Sequence, residues 1–302
     1  MKQKLHTVKF KDESLEDSFQ RYGYIHIKNF LSSETVKELY CYWKSIYEDK
    51  NEHENQWNSL YNIGYEKGNK SSLFIIEQIK NSFDNYFKDF DIPAGTFLVK
   101  KPIKGSVCTV HRDFTTYDER IVQFRNYWIP LVNTTKKNGA LYVIPGSHHV
   151  FKAIRPMFSE WAYEPLKNEI MDYKKIIYAG SGDLILMAEK MLHGSLENKT
   201  DSPRPVLQGG LLPKNTQLYY YTLNNNIVYK YKVNPEFYFK NLFHDLSMLK
   251  TYELEEVFQF KVDNISSKEI KKLKTYKDSY FKEIYSKLKT YNSAKNENEG
   301  YF

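Results

Sequence analysis

Hydrophobic and polar positions change rhythm twice along this chain. In "GYIHIKNF" they alternate, with Tyr24, His26 and Lys28 on one side and Ile25, Ile27 and Asn29 on the other, the period of a short strand. Ser32 and Ser33 then stand where a helix needs a cap, with Glu34 in its first turn. Val36, Leu39, Tyr40, Trp43, Ile46 and Tyr47 follow at helical spacing. The polar stretch "EDKNEHENQWNS" reads as a loop. A second helix is predicted to start near Ser72, with Ile75, Ile76, Ile79, Phe83, Tyr86 and Phe87 on its apolar face.

From about residue 96 to 213 the period shortens to that of strands. "TFLVKKP", "SVCTVHRD", "RIVQFRNYWIPLV", "GALYVIPG", "KKIIYAG", "DLILMAE" and "RPVLQGGLLP" are short apolar runs separated by Pro, Gly and Asn-Gly punctuation. Many short strands at close intervals predict a mainly β domain with flanking helices, a sandwich or barrel rather than βαβ units. No GxGxxG or GxxxxGK[ST] run is present to support a nucleotide fold. After 215 the chain turns rich in tyrosine and lysine, and Ile270, Leu273, Tyr280, Phe281, Ile284 and Leu288 fall on one helical stripe. The expected organisation is a single domain: a helical part over about 1–95, a barrel core over about 96–213 and a helical C-terminal extension over about 214–302.

Composition narrows the function classes. With 302 residues, 41% apolar and 27% charged, the chain can bury a full core. The net charge of +7 comes without an RNP motif, zinc-finger spacing or basic block, which argues against a nucleic-acid partner. The two cysteines, Cys41 and Cys108, form no CxxC pair, as suits a reducing compartment. The first ten residues lack the apolar segment of a secretory signal, and no apolar run is long enough for a bilayer. A soluble, cytoplasmic protein without a membrane partner is expected.

The candidate chemistry begins at "HRDFTTYDER". On a strand, residues i and i+2 share a face, so His111 and Asp113 can converge on one point while Arg112 turns away. His193, in "MLHGS" at the end of a later strand-like run, can supply a third ligand. Two imidazoles and one carboxylate on one side of a metal suit non-haem Fe(II), with positions left open for O2 and a co-substrate. Cys108 has the opposite strand parity to His111 and is not counted as a ligand. Gly139, Pro145 and Gly146 are read as turn devices, and His148 and His149 as structural.

With these motifs in place, residues 16–213 resemble the phytanoyl-CoA dioxygenase family of Fe(II)/2-oxoglutarate oxygenases. The resemblance rests on "FQRYGYIHIKNFLSSETVKEL", "TFLVKKP", the HxD, "YWIPLVNTTKKNGALYVIPGSHHVF" and "GDLILMAEKMLHGSLENKTDSPRPV". It implies a double-stranded β-helix, a jelly-roll, cupin-like barrel with helices outside. It implies His111, Asp113 and His193 as iron ligands and Arg204 as the grip on the distal carboxylate of 2-oxoglutarate, to which a guanidinium fork is suited. Ser195, sharing the face of His193, is expected to bond the same carboxylate, and Trp128 and Phe97 to wall the pocket. The implied reaction consumes O2 and 2-oxoglutarate, releases succinate and CO2, and hydroxylates an unactivated C–H bond of a small metabolite. Desaturation, cyclisation and epoxidation use the same ligands.

Two other classes remain open on the residues alone: a cupin-like Zn or Mn hydrolase or isomerase, and a non-catalytic jelly-roll binding protein. The former would not need Arg204 at its spacing, and the latter would not need a complete triad. The segments near 48–70, 114–125, 150–175 and 215–260 are expected to border the pocket. Arg120, Arg125, Lys152 and Arg155 in these segments suggest an anionic substrate, with ordinary surface charge as the alternative. The sequence does not fix the oligomeric state.

Overall fold

The computed structural model describes residues 5–48, 54–157, 159–240, 246–277 and 279. Two antiparallel sheets carry the fold. The larger has the strand order Tyr24–Ile27, Leu184–Ala188, Arg125–Pro130, Arg204–Pro213, Gly95–Lys100 and Gln56–Asn58, with Phe90–Asp91 added on Arg204–Pro213. The smaller has four strands, Lys175–Ile177, Leu141–Val143, His193–Ser195 and Cys108–His111. From Gly95 to Ser195 the chain crosses repeatedly between the two sheets, with Leu141–Val143 and Lys175–Ile177 following each other in the smaller one. The fold is thus sheet-rich with flanking helices, as the strand rhythm implies.

Each strand of the large sheet divides its residues between two environments, as the period of two requires. On Arg125–Pro130, Arg125, Tyr127 and Ile129 face the helices. Arg125 Nη2 meets Glu16 Oε2 at 2.8 Å, and its guanidinium lies 4.2 Å from the Phe19 ring centroid. Tyr127 packs on Phe83 at 5.3 Å between centroids. On Gly95–Lys100, Phe97 stacks on Tyr42 at 6.1 Å. The covering helices are Glu13–Tyr22, Ser33–Ile46 and Tyr65–Asp84. Asp12 caps the first by accepting from the Ser14 and Leu15 amides, and Ser32 caps the second by accepting from Thr35. The apolar positions Leu39, Trp43, Ile75, Ile79 and Phe83 are buried against the sheet, so the core lies between it and this helical layer.

Three expectations change. The second predicted helix starts at Tyr65, about two turns before Ser72, because Gly64 at φ 80° provides the turn into it. The polar loop before it contains the edge strand Gln56–Asn58, whose one fully apolar residue, Trp57, is buried. The C-terminal extension is not helical over most of its described length. It forms a three-stranded sheet, Leu218–Asn224, Ile227–Val233 and Leu254–Gln259. Asn225 and Asn226, at φ 47° and 64°, make the two-residue turn that a tight hairpin demands. The expected helix is present as Ser267–Lys271, with Ile270 and Leu273 buried beside Phe151 and Tyr142. Tyr280, Phe281, Ile284 and Leu288 lie outside the described residues. No helix among the described residues is long and apolar enough to cross a membrane.

Candidate active site

His111 ends the strand Cys108–His111, and His193 opens His193–Ser195; the two are directly paired in the small sheet. Asp113 follows two residues after His111, and its Oδ1 lies 3.6 Å from His111 Nε2 and 3.7 Å from His193 Nε2. The three ligand atoms all fall within 4.8 Å of one another. Each imidazole is oriented from behind. His111 Nδ1 is 2.8 Å from the Thr109 carbonyl, and His193 Nδ1 is 3.0 Å from that of Met191. A carbonyl can only accept, so Nδ1 donates in both rings and Nε2 is turned to the shared point. Asn126 donates to Asp113 Oδ2 at 2.8 Å, which leaves Oδ1 for the two histidines.

The charges of the trio act strongly on one another. Burial opposes charge on Asp113, but His193 and His111 outweigh it and hold the carboxyl below the usual carboxylate range. Burial also opposes charge on His111, and Asp113 and Cys108 overcome it, raising its pKa to about 10. Burial lowers the pKa of His193. Two nitrogens and an anionic oxygen at this spacing form a donor set for a borderline divalent ion such as Fe(II).

The facing strands of the large sheet supply a second group. Arg204 pairs with Lys100 across the ladder, and its guanidinium sits 5.2 Å from the Trp128 ring. Arg204 is 2% exposed, and its Nε and Nη1 have no hydrogen-bond partner. Burial depresses its pKa to about 10. That of Lys100 falls to about 8, through burial first and the nearby Arg204 second. A dry pocket with orphaned guanidinium donors beside a second cation is built for a carboxylate. Ser195 is buried on the strand of His193, opposite Leu141 and Cys108.

The sheets thus bring His111, Asp113 and His193 together and set Arg204 and Trp128 side by side. Phe97 is placed differently. It has the parity of Val99, packs into the helix layer and lies on the opposite face from Lys100 and Thr96. Cys108 stands outside the ligand set, as expected, with its Sγ 3.7 Å from His111 Nδ1 on the side away from the shared point. The ladder pairs His193 with His111 but Ser195 with Cys108, so one strand carries an extra residue and the parity flips. His148 and His149 contact the carbonyls of Gln20 and Arg21 at 2.9 and 3.2 Å, docking that turn on the first helix. Gly139 and Gly146 occupy turns at φ 86° and 78°.

A cavity of about 330 Å³ opens on Asp113, with Asn58, Tyr61, Tyr117, Phe124, Glu189 and Gln208 among the residues that line it. The segments 48–70 and 114–125 border it as expected, whereas 150–175 and 215–260 do not line it. Nor do the expected cations. Arg120 is bound to Asp118 at 2.7 Å and Glu256 at 2.6 Å, Arg125 faces the helices, and Lys152 is exposed. Arg155 stacks 4.3 Å from Phe114 and donates to the Arg112 carbonyl. Asn126 and Glu189 were missed by sequence reasoning. Asn126 was findable, since it shares the strand parity of Trp128 and opposes that of the helix-facing Arg125.

Comparison with known proteins agrees with this geometry. The family model for phytanoyl-CoA dioxygenase (PhyH) matches residues 19–206, and the chain belongs to that family. Phytanoyl-CoA dioxygenase domain-containing protein 1 of Danio rerio is 25% identical over 184 residues, covering 56% of this chain and 63% of that protein. The chain therefore matches less than two thirds of that relative's length. Among solved structures, the carbocyclase SnoK from nogalamycin biosynthesis is 18% identical with a TM-score of 0.51, covering 70% of this chain and 86% of that one. The epimerase SnoN, solved with Fe3+, alpha ketoglutarate and nogalamycin RO, is 15% identical with a TM-score of 0.52, covering 68% and 85%. EctD from S. alaskensis, solved with 2-oxoglutarate and 5-hydroxyectoine, is 18% identical with a TM-score of 0.51, covering 67% and 76%. These likenesses establish a common fold.

Proposed function

We propose that the protein is an Fe(II)- and 2-oxoglutarate-dependent oxygenase that hydroxylates a C–H bond of a small metabolite. The observation that carries the reading is the convergence of His111 Nε2, His193 Nε2 and Asp113 Oδ1, together with a buried Arg204 whose Nε and Nη1 lack partners among the described residues. Family membership and the neighbours' bound iron and alpha ketoglutarate support it. In this reading the two facing sheets are the halves of a double-stranded β-helix.

Iron with 2-oxoglutarate and O2 supplies the oxidising power for C–H functionalisation, with succinate and CO2 as by-products. The chain's own residues do the positioning. His111, Asp113 and His193 hold the metal on one side, and Asn126 fixes which Asp113 oxygen faces it. Arg204 grips the distal carboxylate of 2-oxoglutarate, Ser195 adds a hydroxyl to the same group, Lys100 adds charge nearby, and Trp128 covers the guanidinium face. Asp113 retains a carboxylate among the ligands, which favours hydroxylation over chemistry that needs a further anion. Cys41 and Cys108 are free thiols, in keeping with a cytoplasmic location.

The test is direct. Purified protein with Fe(II), ascorbate and O2 should convert 2-oxoglutarate to succinate, and His193→Ala should not. Absence of succinate, with Fe(II) binding intact, would leave a metal-binding protein of another class.

A further inference from the structure

The cavity beside Asp113 has an unusual charge balance. Besides Asp113, its lining includes two carboxylates, Glu119 and Glu189, and no lysine, arginine or histidine. Glu119 is already neutralised: Arg112 forms an ion pair with it, Lys190 Nζ lies 3.3 Å from Oε2, and Thr115 Oγ1 donates to Oε1 at 2.8 Å. Glu189 has no such partner. It is 9% exposed, and its Oε2 receives no hydrogen bond from any described residue. The cations nearest in electrostatic effect, Lys190 and Arg112, are those committed to Glu119. The backbone amide of Glu189 itself bonds the carboxylate, but a buried carboxylate oxygen left without a donor is costly, and such groups persist where a ligand completes them.

The walls around it extend the argument. Tyr117 and Phe124 stack at 5.2 Å between centroids and line the same cavity, with Phe114 beside them. Aromatic faces favour a cation, and so does the field of Glu189 and Glu119, which together raise the Tyr117 hydroxyl well above its ordinary pKa after burial has done so. Asn58, Gln208 and Thr116 add polar contacts suited to a compact polar molecule. The volume sits at the small end of the ligand-pocket range, roughly 300–1,000 Å³.

We propose that this chamber selects a substrate bearing a protonated amine, which forms its ion pair with Glu189. The inference rests on the oxygenase reading only in taking the cavity beside Asp113 as the substrate chamber. It replaces an anionic substrate with a cationic one. Glu189 is then a specificity-determining residue: it fixes the amine end, and the carbon presented toward Asp113 follows from the length between them.

Three matched probes test it: cyclohexylmethylamine, cyclohexylmethanol and cyclohexanecarboxylate, titrated by calorimetry into protein filled with Zn(II) and 2-oxoglutarate. The amine should bind about ten-fold or more tightly than the alcohol, the worth of one charged hydrogen bond. Glu189→Gln, close in shape, should erase that preference while leaving 2-oxoglutarate affinity intact. Equal affinities, a preference for the carboxylate, no amine binding at millimolar concentration, or a preference that survives Glu189→Gln would overturn the proposal. The wild-type comparison decides even where the variant is unstable. Succinate release with Fe(II) is measured separately. An amine preference without succinate would remove the oxygenase reading and keep the pocket assignment, and succinate without an amine preference would do the reverse.

Discussion

Asn126 and Asp113 form a hydrogen bond that decides which carboxylate oxygen turns to the histidines. The Asn126 amide donates to Asp113 Oδ2 at 2.8 Å, so the carboxylate offers only Oδ1 to the histidines. The bond also joins the sheets, because Asn126 lies in the large one and Asp113 extends a strand of the small one. Removing it with Asn126→Ala should weaken Fe(II) or Mn(II) binding about ten-fold or more, as loss of a partner behind a ligand does. Metal titration followed by the bound-ion signal checks this, with unchanged affinity as the contrary result.

The ligands themselves should behave as a unit. His111→Ala, Asp113→Ala and His193→Ala should each abolish succinate formation and lose stoichiometric metal, because two ligands hold Fe(II) poorly in an open site. Metal analysis after gel filtration, alongside the assay, separates lost ligation from lost folding.

Arg204→Lys keeps a charge but loses the fork. The Kd and KM for 2-oxoglutarate should rise about ten- to a hundred-fold, with a smaller fall in kcat. Calorimetric titration of 2-oxoglutarate into the metal-filled variant gives the answer. Unchanged affinity would transfer the grip to Lys100, the cation already beside it.

Glu189 makes stability depend on pH in a stated direction. Burial, with Glu119 next in effect, raises its pKa from 4.5 to about 7, so the folded state holds its proton more firmly than the unfolded chain. Between pH 4.5 and 7 the unfolded chain has released that proton and the folded protein has not, so stability falls as pH rises through this window. Glu189→Gln should therefore unfold at higher denaturant than the parent above pH 7, by about 3 kcal/mol at most, and converge with it near pH 4. Urea titrations of the ligand-free proteins at the two pH values test the sign.

The C-terminal sheet is held by one buried cation. Lys230 Nζ contacts Asp118 at 2.8 Å and Glu255 at 2.6 Å, with only 1% of its side chain exposed. Lys230→Met should destabilise the fold by about 1.5–3 kcal/mol, the worth of a charged hydrogen bond, because Asp118 keeps Arg120 and Glu255 keeps Lys232. Asp118 belongs to the loop that follows the metal motif, so the variant should also raise the substrate KM before it affects metal binding. Chemical denaturation and metal titration on one preparation would separate the two effects.

Strand parity carried much of the architecture into view. The alternation in "TFLVKKP" and "RIVQFRNYWIPLV" marked real strands, and His111 and Asp113 reach one point from the HxD. The ladder slip between Cys108 and His111 was not legible, because a bulge leaves little trace in composition, yet Cys108 still stands outside the ligand set. It was available but unused at Phe97 and Arg125, whose odd numbers place them with Val99, Tyr127 and Ile129 on the helix face. The C-terminal hairpin was hidden because its tyrosines and lysines suit a helix stripe as well as a strand, although Asn225-Asn226 was a turn signal. The unpaired state of Glu189 was beyond sequence altogether, since it depends on Lys190 and Arg112 turning to Glu119 instead.

The adjacency of Arg125 and Asn126 makes the large sheet its own proofreader. One residue anchors the strand to the first helix through Glu16, and the next sets the metal-facing oxygen of Asp113. A slip of one position would drive the guanidinium into the chamber and the amide into the helix layer, forfeiting anchor and alignment in one error. A chain that assembles this strand wrongly therefore cannot keep Asp113 aligned with the histidines while losing its packing: the two fail together.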